Sequence, residues 1–409
     1  MHEESTPATA RGSRRSGGVP TGVSLANDNA AVLVSLDFGA PDYAESLEEL
    51  RLLAESAGVR TIALVEGKRQ RPDASLFAGS GKVDEIAVIV EQHAELSEQG
   101  QAPLVIFNHD LSPAQMRNLT AKIKARVIDR TMLILDIFAL RAQSHEGKVQ
   151  VELAQLKYLS TRLVGMNQDM GQQKYAVGAR GPGETQLELD RRKLDKRVQL
   201  LNDRLKKLKL HRQVQRRARN RSEVMSVSIV GYTNAGKSTL FNRLTQSHVY
   251  VADQLFATLD TTSRKIFIEG TGQVVMSDTV GFIRHLPHGL VAAFRSTLEE
   301  TAQADLLLHV VDANSSERFD QIAEVNKVLQ EIGAQHIPQI LVFNKIDLQD
   351  TPAGVQRDEQ GRIARISLSA KTGAGIDELR AALAEVRDAR TQDAQGAQVP
   401  EWHPLDNTH

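Results

Sequence analysis

Gly231-Tyr232-Thr233-Asn234-Ala235-Gly236-Lys237-Ser238 decides the fold. Before it stands an apolar run of strand character, Val227, Ile229 and Val230, and after it Thr239 to Leu244 has helical character. A strand, a glycine-bounded loop and a helix start, in that order, make a phosphate-binding loop. The glycines let the backbone curl so that successive N–H groups point at phosphate oxygens, beside the positive end of the helix dipole. Lys237 is placed to set its charge on the outer phosphates, and the Ser238 hydroxyl to ligate Mg²⁺. A glycine-rich turn with a chance lysine is the competing reading, and the full spacing in its strand–helix context weighs against it. Nucleotide contacts are expected from Gly231, Tyr232, Thr233, Asn234, Ala235, Gly236, Lys237, Ser238 and Thr239. The loop specifies a nucleoside triphosphate but not its base.

The elements that follow continue as a doubly wound sheet. Arg264 to Glu269 and Gln273 to Met276 read as paired strands, ending at Asp278-Thr279-Val280-Gly281. Asp305 to Asp312 is a nearly continuous apolar strand of the buried parallel kind. Ile340 to Phe343 is another, ending at Asn344-Lys345-Ile346-Asp347. Ile363 to Ser367 is the last, followed by Ser369-Ala370-Lys371 and a helix from Ile376 to Val386. Ligand loops leave the carboxyl ends of the strands in this architecture.

Asp347 names the base. Its carboxylate matches the ring N–H and exocyclic amino group of guanine, whereas adenine offers no such donor pair and leaves the carboxylate unpaired. Asn344 is suited to bond the base and the phosphate loop, and Lys345 to lay its stem over the rings. The Ala370 N–H is expected at the guanine carbonyl. Asp278 is expected to hold the Mg²⁺ shell through water, and Gly281 to donate its N–H to the terminal phosphate. Between the phosphate loop and the next strand lies a segment read as a switch, Phe256-Ala257-Thr258-Leu259-Asp260. Thr258 is chosen as the second Mg²⁺ hydroxyl beside Ser238, with Thr261 and Thr262 as close competitors. Lys237, Thr258 and Gly281 form the expected catalytic set.

Phe282 follows Gly281, where some GTPases keep a water-orienting glutamine. Phenylalanine cannot orient water, so slow intrinsic hydrolysis is expected, with the attacking water positioned when a partner orders the switches. Asn234 has two readings, a K⁺ ligand or a loop-shaping residue.

Upstream, residues 30–147 alternate strand and helix, from Ala31–Leu36 to a helix over Thr131–Ala142, as a small parallel α/β domain does. Gly79-Ser80-Gly81-Lys82 lacks the earlier glycine of a phosphate loop, and Val83 replaces the Mg²⁺-binding hydroxyl. It reads as a turn capping a helix, with a weak nucleotide site as the alternative. His109 reads as a turn histidine bonded locally.

From Lys148 the alternation stops. Val149, Leu153, Leu156 and Leu163, then Leu187, Leu194, Val198, Leu201, Leu205 and Leu208, recur at the steps of a coiled-coil seam. Two such arms predict an antiparallel hairpin over 148–222, joined by a loop holding Gly165, Gly171, Gly178, Gly181, Pro182 and Gly183. The second arm is basic, from Arg191, Arg192, Lys193, Lys196 and Arg197 to Arg221. In a chain of 409 residues with net charge −1 this imbalance is local, and it favours a phosphate-rich partner, folded RNA, over a merely solvated face.

The chain has no cysteine, which excludes disulfides and thiolate metal sites and suits a reducing cytoplasm. No apolar run approaches the ~20 residues needed to span a bilayer. At most peripheral membrane association is expected. Residues 1–29 read as a disordered tail without the apolar core of a signal peptide. The domain of 223–388 is followed by a polar tail, 389–409.

The guanine-nucleotide motifs resemble those of translation-factor-related GTPases. Gly178-Ala179-Arg180-Gly181-Pro182-Gly183-Glu184-Thr185-Gln186-Leu187, leading into Asp190-Arg191-Arg192, resembles the HflX family in particular, as do Gly79 to Glu85 and Gln155-Leu156 with Tyr158-Leu159. That resemblance implies a cytoplasmic, ribosome-associated GTPase that uses GTP/GDP and Mg²⁺, with K⁺ as an added candidate. It also implies binding to the large ribosomal subunit and its RNA through the hairpin, and splitting of stalled or hibernating ribosomes under stress. A monomer is expected, with no DNA partner. ATP hydrolysis in the N-terminal domain has been linked to the family. Many members carry a further small domain after the nucleotide domain, where this chain shows the polar tail.

Overall fold

The computed structural model describes residues 30–97, 100–172, 191–208, 210, 224–247, 254–269, 272–284, 286, 298–349 and 351–396, with the side chains of 163–172 and 391–396 excepted. The decapeptide from Gly178, the basic residues beyond 210 and both expected tails' outer parts lie outside them.

The N-terminal unit holds β1 (Ala30–Asp37), α1 (Tyr43–Ser56), β2 (Arg60–Lys68), α2 (Ser80–Leu96), β3 (Leu104–Phe107), α3 (Pro113–Ile123), β4 (Val127–Asp129) and α4 (Arg130–Arg141). Its sheet runs β2-β1-β3-β4 with every pair parallel. Local chemistry sets the helix starts. Ser112 and Gln115 form a reciprocal capping box with Pro113 behind it. Asp129 caps α4 by accepting from the Met132 N–H at 2.9 Å. Helix α2 begins at Ser80, so Ser80-Gly81-Lys82 forms its first turn. Lys82 Nζ is spent on Glu85 at 2.7 Å. His109 also reaches beyond its turn: its Nε2 accepts the Leu36 N–H at 3.1 Å, tying the end of β3 to the end of β1.

Helix α5 (His145–Gln172) then leaves the unit, and a second helix, α6, covers 191–208. Val149, Leu153 and Leu156 of α5 meet Leu194 and Leu201 of α6 in a small apolar cluster, flanked by Val198 and Leu205. Arg197 of α6 pairs with Glu152 of α5 at 2.6 Å. Gly165 and Gly171 belong to α5 and not to a loop, because isolated glycines cost a helix only about 1 kcal/mol each.

The nucleotide unit comprises β5 (Met225–Gly231), α7 (Lys237–Thr245), β6 (Thr262–Ile268), β7 (Gly272–Asp278), β8 (Leu306–Asp312), α8 (Arg318–Glu331), β9 (Gln339–Asn344), β10 (Gly354–Arg357), β11 (Ile363–Ser367) and α9 (Ile376–Gly396). The sheet order is β10-β11-β9-β8-β5-β7-β6, parallel at its centre and antiparallel only in the pairs β6–β7 and β10–β11. Register pairs Ile229 with Asp278, Gly231 with Val310 and Asp312 with Asn344, so the motif loops leave one edge together. Helix α9 continues to Gly396, past the boundary expected at 388.

The two units share one core. Leu33 and Ile106 of the first sheet, Leu50 and Leu53 of α1 and almost all of α4 join Tyr232, Leu255, Phe256, Leu259 and Phe282 in a single buried cluster. Helix α4 is buried on every side from Arg130 to Phe138, as a helix sandwiched between two layers must be. The Phe138 ring meets Phe256 edge-to-face at 4.7 Å. The first unit thus rests on the Phe256–Asp260 segment read as a switch and on Phe282 just beyond Gly281.

Candidate nucleotide site

Strand β5 turns into the phosphate loop at Gly231, whose φ is +148°. A Cβ there would overlap the Val310 carbonyl oxygen of the neighbouring strand, so the turn admits only glycine. Gly231→Ala is therefore expected to cost about 1–3 kcal/mol of stability and to weaken GDP binding. Chemical denaturation and calorimetric titration check the two effects.

Lys237 opens α7 and is buried at 6% exposure. Its Nζ donates to the Tyr232 carbonyl at 2.7 Å. Behind it three oxygens converge: Ser238 Oγ lies 2.6 Å and Thr258 Oγ1 3.1 Å from Asp278 Oδ2, and the two hydroxyls are 2.8 Å apart. Of the three threonines weighed, Thr258 is the one beside Ser238; Thr262 sits in β6 opposite Asp278. The second carboxylate oxygen of Asp278 is buried without a hydrogen-bond partner. Burial raises the Asp278 pKa, opposed by the Ser238 hydrogen bond and the Lys237 charge. Among the described residues no three His, Cys, Asp or Glu side chains converge. One carboxylate and two hydroxyls suit a hard cation that keeps most of its waters, so the set fits Mg²⁺.

The cleft is lined by Thr233, Asn234, Gly236, Lys237, Ser238 and Thr239, facing Gln254, Phe256, Ala257 and Thr258, with Thr279 and Gly281 alongside. Other expected contact residues turn their side chains away. Leu259, Val280 and Ile346 are buried in the core. The Tyr232 phenol reaches into the first unit, donating to Glu49 and accepting from the Arg284 N–H at 2.7 Å. Phe282 is also buried, and its backbone is bridged to the phosphate loop: Thr233 N–H donates to Phe282 O at 2.8 Å and Phe282 N–H to Gly231 O at 3.2 Å.

At the base end, Asn344 Nδ2 donates to the Ala235 carbonyl and its Oδ1 accepts from the Ala370 N–H, both at 2.9 Å. Ala370, expected to offer that N–H to guanine, is thus tied to the buried amide oxygen of Asn344. Lys345, expected to lay its stem over the nucleotide rings, holds its ammonium on Asp312 at 2.8 Å. Asp347 is exposed beside Lys345, and Ser369 closes its own loop through the Thr372 N–H at 3.1 Å. Behind that loop Arg243 donates to the carbonyls of Ala370 and Lys371.

Residues 226–345 match the family described as 50S ribosome-binding GTPase. Residues 44–139 and 141–219 match the N-terminal and middle regions of a GTP-binding GTPase. The chain is 52% identical to GTPase HflX of Escherichia coli (strain K12), over 87% of this chain and 82% of that one. It belongs to the HflX GTPase family. A second relative, GTPase HflX of Caldanaerobacter subterraneus, is 45% identical over 88% of this chain and 81% of its own length. A solved GTP-binding protein of Sulfolobus solfataricus in complex with GDP is similar at 23% identity and a TM-score of 0.46, over 88% of this chain and 99% of that one.

As an HflX GTPase the chain binds guanine nucleotide and hydrolyses GTP. Gln254 had escaped sequence reasoning; it lines the cleft because Arg141 of α4 holds its side chain there, a contact spanning 113 residues that no local spacing signals. Among the described residues no helix is long and apolar enough to cross a membrane.

Burial pulls the Lys237 pKa from 10.5 down to about 8, against the pull of Asp278. Phosphate binding needs the ammonium form and restores it. GDP affinity is therefore expected to fall as pH rises above about 8, with fractional proton uptake on binding near that pH. Calorimetry in buffers of different ionisation enthalpy reads the uptake. Between about 8 and 10.5 the unfolded chain binds the extra proton, so the nucleotide-free protein gains stability with rising pH in that window, and bound phosphate removes the gain.

Proposed function

We propose that this GTPase associates with the large ribosomal subunit and remodels or splits stalled or hibernating ribosomes under stress. The carrying observation is that helix α6 buries its apolar seam on α5 and leaves Arg191, Arg192, Lys193, Lys196, Arg204, Lys206 and Lys207 exposed. A one-sided basic helix attached to the nucleotide unit supports contact with folded RNA. The matched description, a 50S ribosome-binding GTPase, points to the same partner. The protein is proposed to act as a monomer in the cytoplasm.

In the proposed chemistry Lys237 sets its charge on the outer phosphates, and Ser238 and Thr258 hold Mg²⁺ with Asp278 behind them. When bound, Mg²⁺ would supply positive charge against the charge that develops on the transferred phosphoryl group. Gly281 offers its N–H to the terminal phosphate, and Asp347 reads guanine. Phe282 points into the core and leaves the attacking water to be positioned when a partner orders the switches. Asn234 sits at φ +59°, a conformation asparagine tolerates, which supports its loop-shaping role over a K⁺ ligand. Equal turnover in matched K⁺ and Na⁺ buffers is the expected result for that role.

Sedimentation with isolated large subunits tests the proposal. Co-sedimentation with a non-hydrolysable GTP analogue and its loss with GDP is expected, together with faster turnover when subunits are added. Absent or nucleotide-independent co-sedimentation removes the reading.

A further inference from the structure

Asp260 lies two residues beyond Thr258, at the end of the segment that closes the cleft. Its carboxylate does not face the nucleotide site. One oxygen accepts from the backbone N–H groups of Gln143 and Ser144 at 2.8 and 2.7 Å, and the other from the Ser144 hydroxyl at 2.6 Å. Ser144 in turn caps the first turn of α5, its hydroxyl accepting from the Gly147 N–H at 2.8 Å. A Cβ at position 147 would run into the Asp260 carboxylate, so glycine makes the approach possible. An anion at a helix N-terminus, receiving three hydrogen bonds, is held more firmly than a neutral acceptor would be.

The other end of the same segment is tied as well. Ser56 Oγ accepts from the Leu255 N–H at 2.9 Å. Arg141 holds Gln254 and the Ser56 carbonyl, and Phe256 packs on Phe138. Thr258 stands between these two anchors, with its hydroxyl on Ser238 and Asp278. Its placement is therefore set in part from outside the nucleotide unit.

We infer that Asp260 is a positioning residue for the triphosphate state: by joining the end of this segment to the start of α5, it presets the Thr258 hydroxyl over Ser238. The inference rests on Thr258 being the second Mg²⁺ hydroxyl. Preset geometry removes the ordering cost that a free loop carries on closure. Since α5 is also the first arm of the hairpin, any load that shifts α5 shifts Thr258 with it. The diphosphate state gains nothing from Thr258, so the effect is selective for triphosphate.

Release of fluorescent GDP and of a fluorescent non-hydrolysable GTP analogue from the full chain, in Mg²⁺ by stopped flow, tests this. Asp260→Ala is expected to speed analogue release about tenfold, the loss of charge-assisted hydrogen bonds, while GDP release changes less than about twofold. Asp260→Asn keeps an acceptor for the two backbone N–H groups and should recover part of the loss. Ser144→Ala should act in the same direction more weakly, and the double variant with Asp260→Ala should be no worse than Asp260→Ala alone. Equal acceleration of both nucleotides would mean a purely structural contact and overturns the inference, as does unchanged analogue release in both Asp260 variants. Thr258→Ala is the control for the premise: without selective acceleration there, the Mg²⁺ role of Thr258 itself fails, whatever Asp260 does.

Discussion

Replacing Glu49 by alanine is expected to cost about 3–5 kcal/mol of stability, the usual loss when one member of a buried ion pair is removed. Glu49 is 7% exposed and Arg130 5%, and their side chains are paired between α1 and α4. The same carboxylate accepts the Tyr232 hydroxyl of the phosphate loop. Without Glu49, the Arg130 guanidinium keeps neutral partners among the described residues, Asn108 Oδ1 at 2.8 Å and the Arg284 carbonyl at 3.4 Å. Tyr232 loses its acceptor too, where burial and the neighbouring carboxylate had raised its pKa. Glu49→Gln keeps a neutral acceptor and should cost less. The double variant Glu49→Leu with Arg130→Met removes both charges and should recover much of the loss, since an apolar pair of similar volume is often no worse than the ions. Urea unfolding of the four proteins measures these differences. A single-variant cost below about 1 kcal/mol would place the pair among surface-like contacts. Because Tyr232 belongs to the phosphate loop, GDP should also bind more weakly to Glu49→Ala, and its stabilisation at a given concentration should shrink accordingly.

That network marks where sequence reasoning stops. The phosphate loop, Asp278 to Gly281 and Asn344 to Asp347 can be read as motifs because each is written within a few residues at the end of a strand. The contacts that bind the units together span far more chain: Glu49 to Tyr232, Arg141 to Gln254, Ser144 to Asp260. No spacing rule reaches across them. One clue was present: Met132 to Phe138 is apolar on every side but for Asp136, more than a helix on the outside of a domain needs. The short strand β10 has no such clue, being four residues of mostly polar edge. Lys345 and Ala370 have protein partners at long range, Asp312 and Asn344, that their own motifs do not announce. The Asp347 carboxylate is exposed, so its penalty against the wrong base arises only when a base covers it.

Exchanging Asp347 for asparagine is accordingly expected to give the largest single effect on nucleotide choice. A carboxylate offers two acceptors to the ring N–H and amino group of guanine. An asparagine offers one acceptor and one donor, and that donor meets a guanine donor face to face. Affinity for GTP should fall by about 10²–10⁴, the scale on which hydrogen-bonding sites reject a mismatched partner. Xanthosine triphosphate carries a carbonyl where guanine has its amino group, and it should gain by the same logic. The fold should not notice the change, because the Asp347 side chain is exposed while its neighbour Ile346, 4% exposed, anchors the turn. A stability change within about 0.5 kcal/mol is expected for such a surface position. Asn344 would make a poorer probe. Its amide joins the phosphate loop to the Ala370 loop through two buried hydrogen bonds, so its removal would loosen the site for every nucleotide alike. Competition binding of GTP, ATP and xanthosine triphosphate to Asp347→Asn separates recognition from scaffold, and an unchanged preference for GTP would show that guanine is read elsewhere in the cleft.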